Sequence, residues 1–234
     1  MFRKILAGLG IGAAQTPAQP QAPRYAPYRS DACNFIYNLL FCDNLEMFRN
    51  GHGDDRQGPW ATLLAEQPDA AALRALTADA AQESRVRVLA FNRLREIGQT
   101  ATEQSLLGVI VEVPLPGGLD VLAVFDDGRI RYINQSEKMA IFEATPAELA
   151  APAQALLARS KDLVRQIGPW DRDRLPPPSN GKLRLTFLVS DGLYFGEGEM
   201  EVMRHEAMSA PVIAAAQDLL VAIVDQSTQP QPQA

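Results

Sequence analysis

The stretch that decides the fold is residues 105–143, which read SLLGVIVEVPLPGGLDVLAVFDDGRIRYINQSEKMAIFE. Apolar and polar residues alternate along it, and turns rich in Pro, Gly, Asp and Asn separate the apolar runs. Because short runs joined by tight turns pair with their neighbours along the chain, the pattern predicts four strands of an antiparallel meander. Such turns leave little room for the longer loops that usually carry catalytic groups.

The segments around the meander predict an α+β fold. Apolar residues recur at helical spacing before the meander, between it and a second hairpin at residues 182–202, and after that hairpin. The predicted helices or helix pairs span residues 31–49, 69–77, 79–98, 145–168 and 210–224. Helices before, between and after antiparallel strands favour an α+β fold in which the later helices cover one face of the sheet.

Capping residues predict where two of these helices begin. Asp79 is an N-cap candidate, since Gln82 stands three positions later and helical spacing follows. Thr145 is a second candidate, followed by Pro146 at the first helical position. The sequence therefore predicts one helix boundary at each of these two residues.

Composition divides the chain of 234 residues into a body and two tails. Residues 15–29 and 226–234 are rich in Pro and Gln and have little apolar surface to bury, which is typical of linkers and disordered tails. We interpret residues 1–29 as an N-terminal segment and linker, 30–225 as a single α+β domain, and 226–234 as a disordered tail. An apolar fraction of 47% supplies a sizeable core for such a domain.

The N-terminal residues and the cysteines give information about the cellular compartment of the protein. Residues 1–14 combine two basic residues, a short apolar run and small residues, a weak form of the secretion-signal pattern. We favour the interpretation that they form a frayed helix or one that weakly contacts a membrane surface. No segment is long enough to span a membrane. Cys33 and Cys42 lie in or beside one apolar segment and indicate reduced thiols. We expect a cytoplasmic protein, with export or membrane-surface attachment through residues 1–14 as the alternative.

The charge pattern argues against nucleic acid as a partner. The net charge is −6, and basic residues are scattered among acids, so no positive stripe exists to neutralise phosphates. The densest basic segment, residues 83–96, carries four arginines on a predicted helix with acids at both ends: Arg85, Arg87, Arg93 and Arg95. We interpret these arginines as a solvated helix face rather than an anion site.

Few residues fit a catalytic or metal site. The histidines are His52 and His205, and neither stands at a metal-ligand spacing from Cys, His or Glu. Asp171, Asp173 and Asp191 are the acids best placed to hold a divalent cation or act as an acid and base pair. Interleaved arginines would neutralise the first two, so a structural role is favoured and no metal or other cofactor is expected.

The two tryptophans mark the most plausible binding surface. Trp60 and Trp170 each follow a Gly-Pro pair, so each indole is either a plug that fixes a loop or a rigid contact for a partner. A proline-rich segment follows the second tryptophan and keeps its shape without a ligand, which lowers the entropy lost on binding. The candidate binding residues are Trp60, Trp170, Asp171, Arg172, Asp173, Arg174 and Pro177.

These observations favour a non-catalytic protein-interaction or accessory protein. The expected partner is another protein, bound through the sheet edge, the proline-rich segment or both, and the sequence leaves the oligomeric state open. One alternative is a small hydrolase or metal-dependent enzyme that uses Asp171, Asp173 and Asp191. A second alternative is an envelope-tethered binding protein, which rests on residues 1–14 alone.

Overall fold

The computed structural model of the protein describes residues 24–52, 55 and 57–228. The helices in these residues are α1 (Asp31–Leu39), α2 (Glu46–His52), α3 (Gly58–Leu63), α4 (Ala70–Ala78), α5 (Ser84–Glu96), α6 (Ala147–Val164), α7 (Met200–Met203) and α8 (Ala210–Thr228). The strands are β1 (Leu106–Leu115), β2 (Gly118–Phe125), β3 (Ile130–Ile133), β4 (Met139–Phe142), β5 (Lys182–Val189) and β6 (Gly192–Glu199). The order of elements confirms the predicted α+β fold.

The strands form one antiparallel sheet in the order β4-β3-β2-β1-β5-β6. The meander supplies β1 to β4, and the second hairpin adds its first strand beside β1. Gly117 adopts a φ of +96° in the turn between β1 and β2, a conformation that favours glycine. The sheet therefore ends in two edges, one at β4 and one at β6.

Helices cover both faces of this sheet. The later helices α6 and α8 pack with β1, β2 and β5 around buried residues that include Val109, Leu156, Phe187 and Leu219. The opposite face is covered by α1 to α5, whose side chains meet the other residues of the same strands, because successive strand residues point to opposite faces. We expected a cover from the later helices and did not predict the second layer.

Among the described helices, α1 and α4 begin with a side-chain N-cap, and two helix starts differ from the sequence expectation. Asp69 caps α4 by accepting from the Ala71 N–H at 2.9 Å. The expected cap at Asp79 is wrong: this carboxylate accepts from the Ala81 N–H within its own turn, and α5 begins later, after Glu83. The expected cap at Thr145 is also wrong, since Pro146 holds the N-cap position and the Thr145 hydroxyl donates to the Gly128 carbonyl instead.

The remaining sequence expectations concern cysteines, membranes and the tails. Cys33 and Cys42 are both buried and free. None of the helices in the described residues is long and apolar enough to cross a membrane. The last helix, α8, continues past its expected end at residue 224 to Thr228. The predictions for residues 1–23 and 229–234 lie outside the described residues.

Candidate functional site

The proline-rich segment, residues 169–180, contacts the β6 edge of the sheet at Leu193 and Phe195 and is called the proline loop below. The Trp170 N–H donates to the Leu193 carbonyl at 2.7 Å and forms an isolated bridge with that strand. The Trp170 ring meets the ring of Phe195 edge-on, with centroids 4.7 Å apart, and its Nε1–H donates to the Asp173 carbonyl at 3.0 Å. Trp170 therefore fixes the loop to the edge strand.

Arg174 anchors the same loop in the protein interior. Its side chain is only 2% exposed, and its Nε donates to Asp43 Oδ2 at 2.7 Å. Its Nη2 donates to Asn38 Oδ1 at 3.0 Å, and its guanidinium lies 3.8 Å from the centre of the Phe41 ring. A charge this deeply buried is stable only when it is paired and hydrogen-bonded, so these contacts tie the loop to α1 and the residues after it.

Beneath Arg174 a row of charged residues crosses three strands on one face of the sheet. Glu112 on β1 lies opposite Arg184 on β5, which lies opposite Glu197 on β6. The Arg184 Nε donates to Glu197 Oε2 at 2.9 Å, while its Nη1 stands 3.7 Å from Glu112 Oε2. Tyr37 links this row to the anchor, because its hydroxyl donates to Glu112 Oε1 at 2.7 Å and accepts from Arg174 Nη1.

Burial controls the ionisation of this row. Removal from water raises the pKa of Glu112, and the charges of Arg184 and Arg174 oppose that rise. Burial also raises the pKa of the Tyr37 hydroxyl well above its usual value, with Glu112 adding to the effect. Tyr37 therefore stays protonated and keeps its hydrogen bond to Glu112. The Glu112 and Tyr37 side chains are both buried, so we infer that the row of charged residues supports the proline loop from below.

A cleft of about 290 Å³ lies between the proline loop, α5 and the segment after α1, and we call it the arginine cleft. It is lined by charged and apolar side chains together: Arg24, Phe41, Asp43, Val88, Asn92, Arg95, Glu96, Arg172, Asp173, Arg174, Leu188, Val189 and Leu193, with Gly192. Four arginines stand against three carboxylates in this lining. The cleft therefore combines a surplus of positive charge with an apolar floor.

The candidate acids do not converge on one point. The Asp171 and Asp173 side chains are 89% and 85% exposed, and they lie beside Arg172 at 3.7 Å and Arg24 at 2.5 Å respectively. Asp191 stands in the turn before β6 and accepts from the Tyr194 hydroxyl at 2.8 Å. In the described part of the chain, no group of three or more His, Cys, Asp or Glu side chains is placed to hold a metal ion.

The other predicted binding residues are divided between two regions. Arg172, Asp173 and Arg174 line the arginine cleft, and Pro177 is half-buried within the proline loop. Trp60 lies elsewhere, where its ring stacks on His52 at 3.9 Å and lines a separate cavity of about 260 Å³. The structure thus brings the segment that follows Trp170 to the arginine cleft and places Trp60 outside it.

The opposite edge of the sheet, at β4, carries no covering strand among the described residues. Met139 and Ile141 are 41% and 46% exposed there. The Asn134 N–H donates to the Lys138 carbonyl and closes the β3–β4 turn. Hydrogen-bonded and non-bonded residue pairs alternate along antiparallel strands, so the even-numbered residues of β4 are the ones hydrogen-bonded to β3. The backbone N–H and C=O groups of Met139 and Ile141 therefore point away from the sheet, beside their exposed side chains.

Sequence reasoning missed Arg24 and Asp43 in the cleft and assigned Arg95 to a solvated helix face, because the neighbours of these residues in the cleft are far away along the chain. It also did not single out Met139 and Ile141. A signal for the second pair exists: the last strand of a meander is an edge strand unless another segment joins it, and MAIF is apolar at every position rather than alternating.

The chain matches no protein-family profile. A search of the curated proteins finds no significant relative either.

Proposed function

We propose that the protein is a non-catalytic interaction protein that binds an extended segment of another polypeptide along the open edge of β4. The observation that carries this proposal is the coincidence, at Met139 and Ile141, of outward backbone groups and exposed apolar side chains. Strand addition uses both features at once, since backbone hydrogen bonds give affinity and side-chain contacts give specificity.

The chemistry of this edge supports the proposal. Natural sheets usually protect an exposed edge with a charge, a proline or a bulge within the strand, and β4 contains none of these in its sequence MAIF. Charged residues stand only at its two ends, as Lys138 and Glu143. An incoming strand would bury both apolar side chains and pair four backbone groups, two each from Met139 and Ile141.

The state of the candidate acids also favours binding over catalysis. Asp171 and Asp173 are exposed and lie next to arginines, so they are poorly placed to act on a substrate held away from water. Their surroundings resemble those of surface carboxylates.

A selection of peptides eight to twelve residues long tests the proposal with defined ligands. Bound peptides are expected to slow hydrogen exchange of the Met139 and Ile141 amides, because these two N–H groups would enter a new strand pair. Ile141→Lys should abolish this binding by placing a charge on the paired edge. Val221→Lys is the matched control, since Val221 is 60% exposed on α8, away from the edge.

Two results would contradict the proposal. One is a set of selected peptides that bind Ile141→Lys as tightly as the unmodified protein. The other is protection that appears at other amides while those of Met139 and Ile141 exchange at their free rate.

A further inference from the structure

The four arginines of α5 differ in how their charges are balanced. Arg85 pairs with Glu83, Arg87 lies 3.8 Å from Asp126, and Arg93 lies 2.6 Å from Glu96. In the described residues Arg95 has no carboxylate oxygen within 4.0 Å. Arg95 is also the one among the four that lines the arginine cleft.

Neutral groups hold the Arg95 side chain in place. Its Nη1 donates to the Ser190 carbonyl at 2.9 Å, and its Nη2 donates to the Asn92 side-chain carbonyl. Within the described part of the chain, these two contacts leave the Nε–H and further Nη hydrogens of Arg95 without a protein acceptor. Burial lowers the pKa of Arg95, while Asp191 and Glu96 act on it only through space. The guanidinium is thus oriented and partly desolvated before any ligand arrives.

The surroundings of Arg95 define the chemistry of a ligand. Four arginines against three carboxylates leave one unbalanced positive charge in the cleft lining, which matches a monoanion better than a dianion. Apolar side chains such as Val88, Leu188 and Leu193 complete the lining and suit a hydrocarbon body. A planar guanidinium fork accepts a carboxylate through two parallel hydrogen bonds.

We propose that the arginine cleft binds a small organic carboxylate, with the carboxylate on Arg95 and an apolar body beside Val88, Leu188 and Leu193. The cleft volume of about 290 Å³ is at the small end for ligand pockets and limits the ligand to about a dozen non-hydrogen atoms. Arg172 stands at the rim, 75% exposed and stacked over the Trp170 ring at 4.5 Å, where it adds positive charge for the approach of an anion. This site is separate from the β4 edge.

Calorimetric titration of the full chain with hydrocinnamate tests the proposal. This carboxylate carries a phenyl body of suitable size, and a dissociation constant on the order of 1 mM is expected for a ligand so small. Hydrocinnamide keeps the shape without the charge and should bind at least about tenfold more weakly, as expected for the loss of a charge-assisted hydrogen bond. Inorganic phosphate should also bind more weakly, since it lacks the apolar body.

Variants place the effect on Arg95. Arg95→Gln should weaken hydrocinnamate binding by about tenfold or more, and Arg95→Lys should retain part of it as a point charge. Arg87→Gln is the control, because it makes the same change on the same helix outside the cleft. Circular dichroism of each variant shows that it is folded before titration.

Three outcomes would overturn the proposal. The first is no binding of hydrocinnamate to the unmodified protein. The second is binding that Arg95→Gln and Arg87→Gln reduce equally. The third is phosphate binding as tight as hydrocinnamate binding, which would make the cleft a general anion site.

Discussion

The two edges of the sheet differ in their contacts with the rest of the protein. At β6 the proline loop pairs with Leu193, packs Trp170 on Phe195 and buries Arg174 beneath it. At β4 two apolar residues stand exposed, with their backbone groups directed outward. This difference supports the proposal that β4, which is uncovered among the described residues, binds a segment of another polypeptide.

The largest expected change in the free energy of unfolding is at Arg174 in the proline loop. Arg174→Met removes the buried cation that hydrogen-bonds to Asp43 and Asn38 and should lower the free energy of unfolding by about 2–4 kcal/mol; Arg24, 3.6 Å from Asp43, keeps that carboxylate partly paired. Denaturant unfolding measures the loss. Arg172→Met is the control in the same loop; its side chain is 75% exposed, so its effect should stay within about 0.5 kcal/mol. Equal losses in the two variants would show that Arg174 is not the anchor.

A smaller effect should follow from loosening the same edge at its aromatic contact. Trp170→Ala removes the edge-on packing against Phe195 and should cost about 1–2 kcal/mol, while speeding hydrogen exchange along β6. Trp60→Ala makes the same substitution away from the sheet edge and should leave β6 exchange unchanged. If both variants speed β6 exchange alike, the loop does not depend on Trp170.

The buried row of charged residues should make the free energy of unfolding depend on pH. Burial raises the pKa of Glu112 in the folded state, so the folded protein holds this proton more tightly than the unfolded chain does. The stability from this group is complete below the unfolded pKa of about 4.3 and declines as pH rises through the folded value. Glu112→Gln removes that decline, so the stability of this variant relative to the unmodified protein should increase with pH.

Denaturant unfolding at several pH values between about 4 and 8 measures this difference. Glu66→Gln, an exposed position, is the control and should show no such trend. A difference that falls with pH would mean that Arg184 and Arg174 stabilise the ionised carboxylate more than burial disfavours it.

The smallest effect on stability is expected at the open edge. Ile141→Lys should change the free energy of unfolding by no more than about 0.5 kcal/mol, since the side chain is already 46% exposed. Ile133→Lys gives the contrast on the neighbouring strand, where the residue is 1% exposed and a buried unpaired charge should unfold the protein. A large loss in Ile141→Lys would mean that β4 packs more tightly than its exposure indicates.

Local patterns predicted the fold well, and contacts between distant residues were harder to foresee. Alternation and tight turns were enough for the meander, because strand and turn preferences act over a few neighbouring residues. The prediction of an N-cap at Asp79 was wrong because a side chain that can cap a helix can also accept a hydrogen bond within its own turn, as Asp79 does from the Ala81 N–H.

The site was predicted only in part for the same reason. The proline loop was identified from its composition, and three of its residues do line the arginine cleft. The sequence placed Glu112 among strand residues, and could not reveal that Tyr37 and Arg184 would enclose it. Such burial depends on which distant segments pack together, and periodicity carries no information about that.

The anchor of the proline loop has a consequence for the newly made chain. Arg174 follows Asp43 by 131 residues. At a synthesis rate of about 5–20 residues per second, Asp43 is synthesised roughly 7 to 26 s before the guanidinium that will bond to it. During that interval α1 and the residues after it lack the buried Arg174 contact, so their final packing waits for the second half of the protein.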